Sequence, residues 1–395
     1  MTRVLGVLAW GPPSRRSGVP LPIGKLTIRR EDIGIIPLLL SFPFMFFPKV
    51  LAGDTQPWVL LCALAALFTF RRDQFVARSD IWILMIAMAC IAVYVSRSES
   101  LADSVRAVYT QVAFVVFWLV ASRERGEYFV GAIKLTIVVW LAIGIYQYFA
   151  LLLGLPVEFV GRYVAGRSGI PSLTSEPSMY GSLSVVQMMY LLSHRRADRH
   201  GFYVACAATS VVLSGSLLAL LLLSLVFLRL NRRLRVAISL AVPSLVIVDY
   251  AFTSAGLTSR LSDIFSQDAG VIGVFLDASL NLRIGHVYFT LVDNLWESLF
   301  LMEPLSFMAQ YNAFASTSGV FIDTGSNFIL PAAGELVYGS GVFGLLLLVL
   351  VFMRAQAGVG TLTRKLEKLA FISACMLNPI SISNIYLIVY ARQAD

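Results

Sequence analysis

Charge is scarce in this sequence. Only 14% of its 395 residues are Asp, Glu, Lys or Arg, while 58% are hydrophobic. A soluble domain draws on roughly a quarter of its residues for charge, so this chain lacks the material to cover a water-facing surface. Cysteine and histidine are scarce too, at four and three residues. Cys62, Cys90, Cys206 and Cys375 each fall in a long apolar run, and no two share a metal-ligand spacing. They read as small buried residues, not as a disulfide framework or a zinc site. The alternating pattern of a membrane β-barrel is missing. So is any internal repeat, which weighs against an inverted-repeat transporter.

What is present is a series of apolar runs long enough to cross a hydrocarbon core of roughly 30 Å. In lipid the backbone must satisfy its own hydrogen bonds, so such runs become helices. The runs lie at 33–52, 56–70, 80–96, 106–122, 127–153, 177–193, 201–214, 215–230, 236–252, 326–352 and 369–390. This predicts an all-α polytopic membrane protein with about eleven spans, ten to twelve given boundary uncertainty. The pair meeting at Ser214-Gly215-Ser216 is short enough to be one bent pair or a re-entrant feature. Pro379 is expected to kink or break the last span. Residues 1–32 form a polar, basic tail and 33–395 a single transmembrane domain. The short apolar stretch Val4–Trp10 has no cleavage pattern after it, so the tail reads as mobile and not as a signal peptide.

The net charge is +8. Its distribution explains it without nucleic acid. Arg71, Arg72 and Arg78, then Arg123 and Arg125, then Arg195, Arg196 and Arg199, then Arg229, Arg232, Arg233 and Arg235 occupy alternate loops. Basic residues collect in cytoplasmic loops, so the N-terminus belongs in the cytoplasm. Loops 154–175 and 253–325 then fall outside. They are the long ones, and long ordered loops tend to carry function. His194 and His200 lie in a basic cytoplasmic loop and read as surface residues. His286 is the one histidine outside.

Loop 154–175 holds Arg162, Tyr163 and Arg167 among glycines and hydroxyls, and leads into Ser175-Glu176-Pro177-Ser178. Guanidinium groups grip phosphate oxygens through two parallel hydrogen bonds, and glycine-rich turns add backbone donors. A diphosphate held at the outer face would suit this loop. The alternative is arginines reaching for lipid headgroups, with Glu176 as a helix N-terminal charge. In loop 253–325, residues 277–300 read as an amphipathic helix. Arg283, His286, Thr290, Asp293 and Glu297 step by three and four onto one face. That stripe either builds a site or simply faces water.

Glu335 lies in an apolar run, where a carboxylate is costly and marks function by default. Pairing with Lys134, the lysine inside a span, is the competing explanation. Gly339, Gly341 and Gly344 match G-x-G-x-x-G, but no strand precedes them, so they imply close helix packing and not a dinucleotide. Ser326 and Asn327 mark the mouth of the same run.

The arginine- and glycine-rich loop entering Ser175-Glu176-Pro177-Ser178, the large loop with Arg283, and the run opened by Ser326-Asn327 with Glu335, Gly341 and Gly344 resemble the bacterial O-antigen polymerases of the Wzy type and the related O-antigen ligases. The resemblance covers residues 154–352. The chain departs from one pattern of that group, an arginine and a glycine separated by ten residues in both loops. The resemblance implies a GT-C-like fold in the bacterial inner membrane with its catalytic face in the periplasm. It implies an undecaprenyl-diphosphate-linked oligosaccharide as donor, a second lipid-linked unit or growing chain as acceptor, and no metal or other cofactor. Membrane lipid and a chain-length regulator protein are the further partners it suggests. Arg162, Arg167 and Arg283 would hold the diphosphate. Glu176, or else His286, would act on the acceptor hydroxyl, with Tyr163, Ser175, Asn327 and Glu335 in support. A ligase that transfers the finished glycan to lipid A-core is the close alternative, resting on His286. A lipid-linked glycan transporter or flippase is the distant one, since few charges lie deep in the spans.

Overall fold

The computed structural model of the chain describes residues 21–23, 26–28, 57–69, 78–97, 101–123, 127–153, 169–174, 176–193, 200–227, 278–300, 306–322 and 331–356, with isolated positions at 155, 230–240 and 372–377. In chain order the elements are strands β1 (Leu21–Ile23) and β2 (Leu26–Ile28), then helices α1 (Pro57–Thr69), α2 (Arg78–Arg97), α3 (Leu101–Arg123), α4 (Glu127–Leu152), α5 (Pro177–Ser193), α6 (Gly201–Ser214), α7 (Leu217–Phe227) and α8 (Ala278–Tyr288). A π-helical turn (Phe289–Asp293), α9 (Leu295–Phe300), α10 (Ser306–Ser318) and α11 (Ala332–Gln356) complete the order. The strands pair antiparallel, Leu21 opposite Ile28 and Ile23 opposite Leu26. The tail was expected to carry no structure. The signal for this hairpin is two short apolar runs separated by Gly24-Lys25.

Helices occupy the apolar runs expected at 56–70, 80–96, 106–122, 127–153, 177–193, 201–214, 215–230 and 326–352. Among the described residues, three of them contain stretches long and apolar enough to cross a membrane: Asp80–Arg97, Val130–Leu151 and Ala332–Met353. Shorter apolar stretches lie in α1, α3, α6 and α7. The run at 33–52 and most of those at 236–252 and 369–390 lie outside the described residues.

Packing depends on which faces are apolar. In α5 every residue from 179 to 191 is buried, as expected of a helix apolar all round. It packs on α6 and α7, and α6 also packs on α4. On the other side α2 lies against α3 and α11, and α3 against α1. One core cluster runs through all of them, from Ala63 to Met376. Hydroxyls inside these apolar helices donate back to the preceding turn: Thr136 to Ala132 O, Ser184 to Tyr180 O and Ser210 to Cys206 O. That return bond satisfies a polar group where no water is available. Cys90 and Cys206 are buried free thiols and Cys62 is half-buried, in keeping with their reading as small apolar residues.

Two expectations need correction. His200 is buried rather than surface-exposed, because it takes the N-cap position of α6 and is enclosed with it. Lys134 is half-buried, and its ammonium stands 5.1 Å from the Tyr203 ring centroid, so an aromatic face takes the place expected for Glu335. The break at Ser214-Gly215-Ser216 is a tight left-handed turn, with Gly215 at φ 60°. The Ser216 N–H donates to Ser214 Oγ, so α6 and α7 are two short helices.

The glycines of α11 do allow close packing. A side chain at Gly339 would collide with the Tyr94 ring. Gly341 breaks the helix outright, at φ 58° and ψ −136°, a conformation that residues with a Cβ avoid. A Cβ there would stand 2.5 Å from the Leu299 carbonyl oxygen of α9. Gly341→Ala is therefore expected to cost about 1–3 kcal/mol from backbone strain alone. Gly131→Ala meets open space within α4 and should be neutral or stabilising by about 0.4–1 kcal/mol. Thermal melting of the purified protein in detergent checks this. Equal midpoints for the two variants would contradict it.

Candidate functional site

The site grows from the N-terminal end of the central helix, α5. Pro177 occupies the first position of α5, where its missing N–H costs nothing and its fixed φ suits the helix. Glu176 is the residue before it, and its carbonyl accepts from the Met179 and Tyr180 amides at 3.1 Å. Glu176 thus takes the N-cap position, and its carboxylate lies at the positive end of the helix. The Ser178 hydroxyl reaches Glu176 Oε2 at 3.3 Å.

The chain arrives there by descending into the bundle. Gly169 packs against the Ser214–Gly215 turn at φ 98°, and a Cβ there would strike the Ser214 carbonyl. The Ile170 amide donates to Leu213 O at 3.3 Å. Ser172 is buried with φ 52°. Two bonds hold it there: its hydroxyl donates to Trp140 O at 2.7 Å, and its carbonyl accepts from Gln147 Nε2 at 3.0 Å. Trp140 lies about 18 Å along α4 from the helix end at 1.5 Å per residue, so the segment dips well into the bundle. Thr174 closes the turn by donating to the carbonyls of Pro171 and Glu176.

The partner of Glu176 comes from the second long loop. Arg283 on α8 is 1% exposed, yet its guanidinium lies 3.7 Å from Glu176 Oε2. Nη2 donates to Ser178 Oγ at 2.9 Å, across 105 residues of sequence, and Nη1 donates to Leu377 O at 2.9 Å. The Glu176 side chain keeps 25% exposure. The carboxylate is therefore partly exposed and the cation is buried behind it. A phosphate approaching Arg283 would have to pass Glu176.

His286 lies one turn from Arg283 on the same face of α8. It is fully buried and boxed by rings. Its centroid is 4.3 Å from Tyr311 and 5.2 Å from Phe307, both edge-on. Phe289 and Tyr338 pack in turn on Phe307. Neither imidazole nitrogen has a hydrogen-bond partner among the described residues. Burial pushes its pKa from 6.5 down to about 4, so the ring is neutral near pH 7.

Residues 277–300 were expected to be one helix with a continuous polar face. The structure interrupts it. Thr290 donates to the His286 carbonyl at 2.8 Å, and the π turn then adds a residue, with Asn294 N bonded to Phe289 O at 2.8 Å. A π turn shifts the helical phase of the residues after it. Arg283, His286 and Thr290 are accordingly buried, whereas Asp293 and Glu297 are exposed. The first part of the stripe thus does not face water, because Arg283 is held by Glu176 and Ser178 and His286 by the aromatic box.

Glu335 is half-buried in the first turn of α11. Arg162, Tyr163, Arg167, Ser175 and Asn327 lie outside the described residues. Sequence reasoning missed the roles of Ser178, Ser172 and the α10 aromatics. Phe307, Tyr311 and Phe314 recur at helical spacing within 306–318, which was the available signal.

The His286 shift carries a pH consequence. The folded pKa lies below the unfolded one, so the stability conferred by the neutral ring is complete above 6.5. It falls as pH drops toward 4, by about 3 kcal/mol over that window. His286→Phe should flatten the decline in melting temperature between pH 6.5 and 4. An unchanged pH profile would show that His286 is not the titrating group.

No family model, no curated protein and no solved structure matches the chain.

Proposed function

We propose that this chain is a lipid-diphosphate-sugar-dependent glycosyltransferase that polymerises undecaprenyl-diphosphate-linked oligosaccharide units into O-antigen or a related surface polysaccharide. In this reading it crosses the bacterial inner membrane about eleven times, with a GT-C-like arrangement and a cytoplasmic N-terminus. The work is done at the periplasmic face. One observation carries the proposal: Glu176 and Arg283, from two loops far apart in sequence, meet at 3.7 Å at the end of the central helix. Buried charge in an apolar bundle is costly and is retained where it has a use.

The chemistry assigned to it is glycosyl transfer at the donor's anomeric carbon. An acceptor sugar hydroxyl forms the new glycosidic bond, the bond to the diphosphate oxygen breaks, and undecaprenyl diphosphate leaves. Glu176 accepts the hydroxyl proton. Arg283, held by Ser178 and the Leu377 carbonyl, aims the Glu176 carboxylate from 3.7 Å. Negative charge grows on the leaving diphosphate, and Arg162 and Arg167 meet it. Tyr163, Ser175, Asn327 and Glu335 support the site. Transfer needs no nucleotide sugar.

A ligase reading stands second, favoured by His286. Neither imidazole nitrogen is partnered among the described residues, but burial disfavours the protonated ring. Opening of the aromatic box would then be required.

Deletion of the gene, with gel analysis of envelope polysaccharide, separates these readings. A polymerase loss leaves single repeat units on lipid A-core, and a ligase loss leaves bare core. Glu176→Gln, at normal protein level, should reduce chain lengthening at least about 100-fold, the scale of a lost general base. His286→Ala should leave lengthening intact in a polymerase. Unaltered glycan length and attachment after deletion would end the proposal.

A further inference from the structure

The polar stripe of α8 is turned inward, and what remains outside is apolar. Tyr288, Val292, Trp296 and Phe300 are 43%, 61%, 71% and 51% exposed. They recur every fourth residue through α8, the π turn and α9. In a plain α-helix each such step drifts by about 40°. The π turn and the non-helical Asn294 after it, at φ −120° and ψ 31°, interrupt that drift, and all four form an exposed, interrupted row. Trp296 and Phe300 touch, with ring centroids 4.7 Å apart. Asp293 and Glu297, each one residue further on, are exposed beside the row.

The level of this row can be read from its neighbours. α9 packs on α11, and the Leu299 carbonyl lies at the Gly341 break. Arg97 closes the membrane-length stretch Asp80–Arg97. Its Nη1 donates to Tyr338 O at 3.4 Å, and Nη2 stands 3.3 Å from where a Gly341 Cβ would be. The Arg97 guanidinium and the Leu299 carbonyl therefore meet at the Gly341 break, where α11 passes from the wholly buried residues 336–340 to a face that exposes Phe343. A cation that ends an apolar stretch sits where hydrocarbon gives way to headgroups. Tryptophan and tyrosine favour that level. Beyond Gly341, α11 continues with exposed Phe343 and Leu346, so the apolar surface does not end with the row.

We infer that α8 and α9 lie along the membrane–water boundary, with Tyr288, Val292, Trp296 and Phe300 set among lipid acyl chains and Asp293 and Glu297 in the headgroup water layer. The occupant of this face is lipid. A free amphipathic helix adopts this pose through burial of its apolar face. Here the inner side is also pinned to the bundle by Arg283. The inference does not depend on the proposed reaction.

Spin labels attached at Val292→Cys, Asp293→Cys and Trp296→Cys test it, in a background with the native cysteines replaced and the protein in lipid nanodiscs. Labels at 292 and 296 should collide with oxygen severalfold more than with a water-soluble nickel chelate, and the label at 293 should show the reverse. High chelate access at 292 and 296 would place the row in water. Low access to both reagents would place it against a second copy or another protein. Either result overturns the inference. If those variants fail to fold, nanodiscs of dibrominated phosphatidylcholine serve with the unaltered chain. Brominated lipid should quench its tryptophan emission, and Trp296→Phe should lower the quenchable fraction. An unchanged fraction would also overturn the inference.

Discussion

A guanidinium removed from water, with a carboxylate as its counterpart, is the constraint on which the rest of this architecture depends. Arg283 is almost wholly buried, and a buried cation persists only with matched partners. It finds Glu176, Ser178 and the Leu377 carbonyl. Those partners come from the start of the central helix and from the far end of the described chain. One side chain therefore ties together three segments that composition alone would leave independent. Removing one member of such a pair strands the other, at a cost of about 3–5 kcal/mol.

Much of the surrounding geometry serves that contact. Segment 169–174 descends into the bundle so that Glu176 can cap α5. The descent requires left-handed backbone at Gly169 and Ser172, secured by bonds to Leu213, Trp140 and Gln147. On the other side, α8 turns its polar residues inward and leaves its aromatic row outside. The π turn ends the inward polar stripe after Thr290 and releases Asp293 and Glu297 to the surface. Gly341 breaks α11 where α9 crosses it. Strained or irregular backbone is concentrated around the one place where charge is buried, a distribution common at functional sites.

The helices were legible because apolar runs separated by basic loops are a strong and simple signal. Glu176 and Arg283 were legible as individual candidates, since an acid before Pro177 and an arginine outside both stood out. Their meeting was not, because tertiary contact across 105 residues leaves no local trace in a single sequence. The interruption of α8 was hidden for a related reason: Arg283, His286, Thr290, Asp293 and Glu297 fit a regular period that the π turn breaks. α10 was overlooked although Phe307, Tyr311 and Phe314 spelled a helical face, since it lies inside a segment read as loop. Lys134 was matched to Glu335 by charge, whereas the fold offered it the face of Tyr203.

These features describe a helical membrane protein with a partly open carboxylate at the head of its central helix, an arginine behind it and a buried histidine box alongside. The proposed glycosyl transfer uses the first two as base and aiming group. Its structural premise is that Arg283, Ser178 and Glu176 act as one unit joining two loops. A double-mutant cycle on detergent-solubilised protein, with Arg283→Met, Glu176→Gln and the pair, measures that premise through unfolding free energy. The account predicts a coupling well above the roughly 0.5 kcal/mol scatter of independent sites. Additive effects of the two substitutions would contradict it.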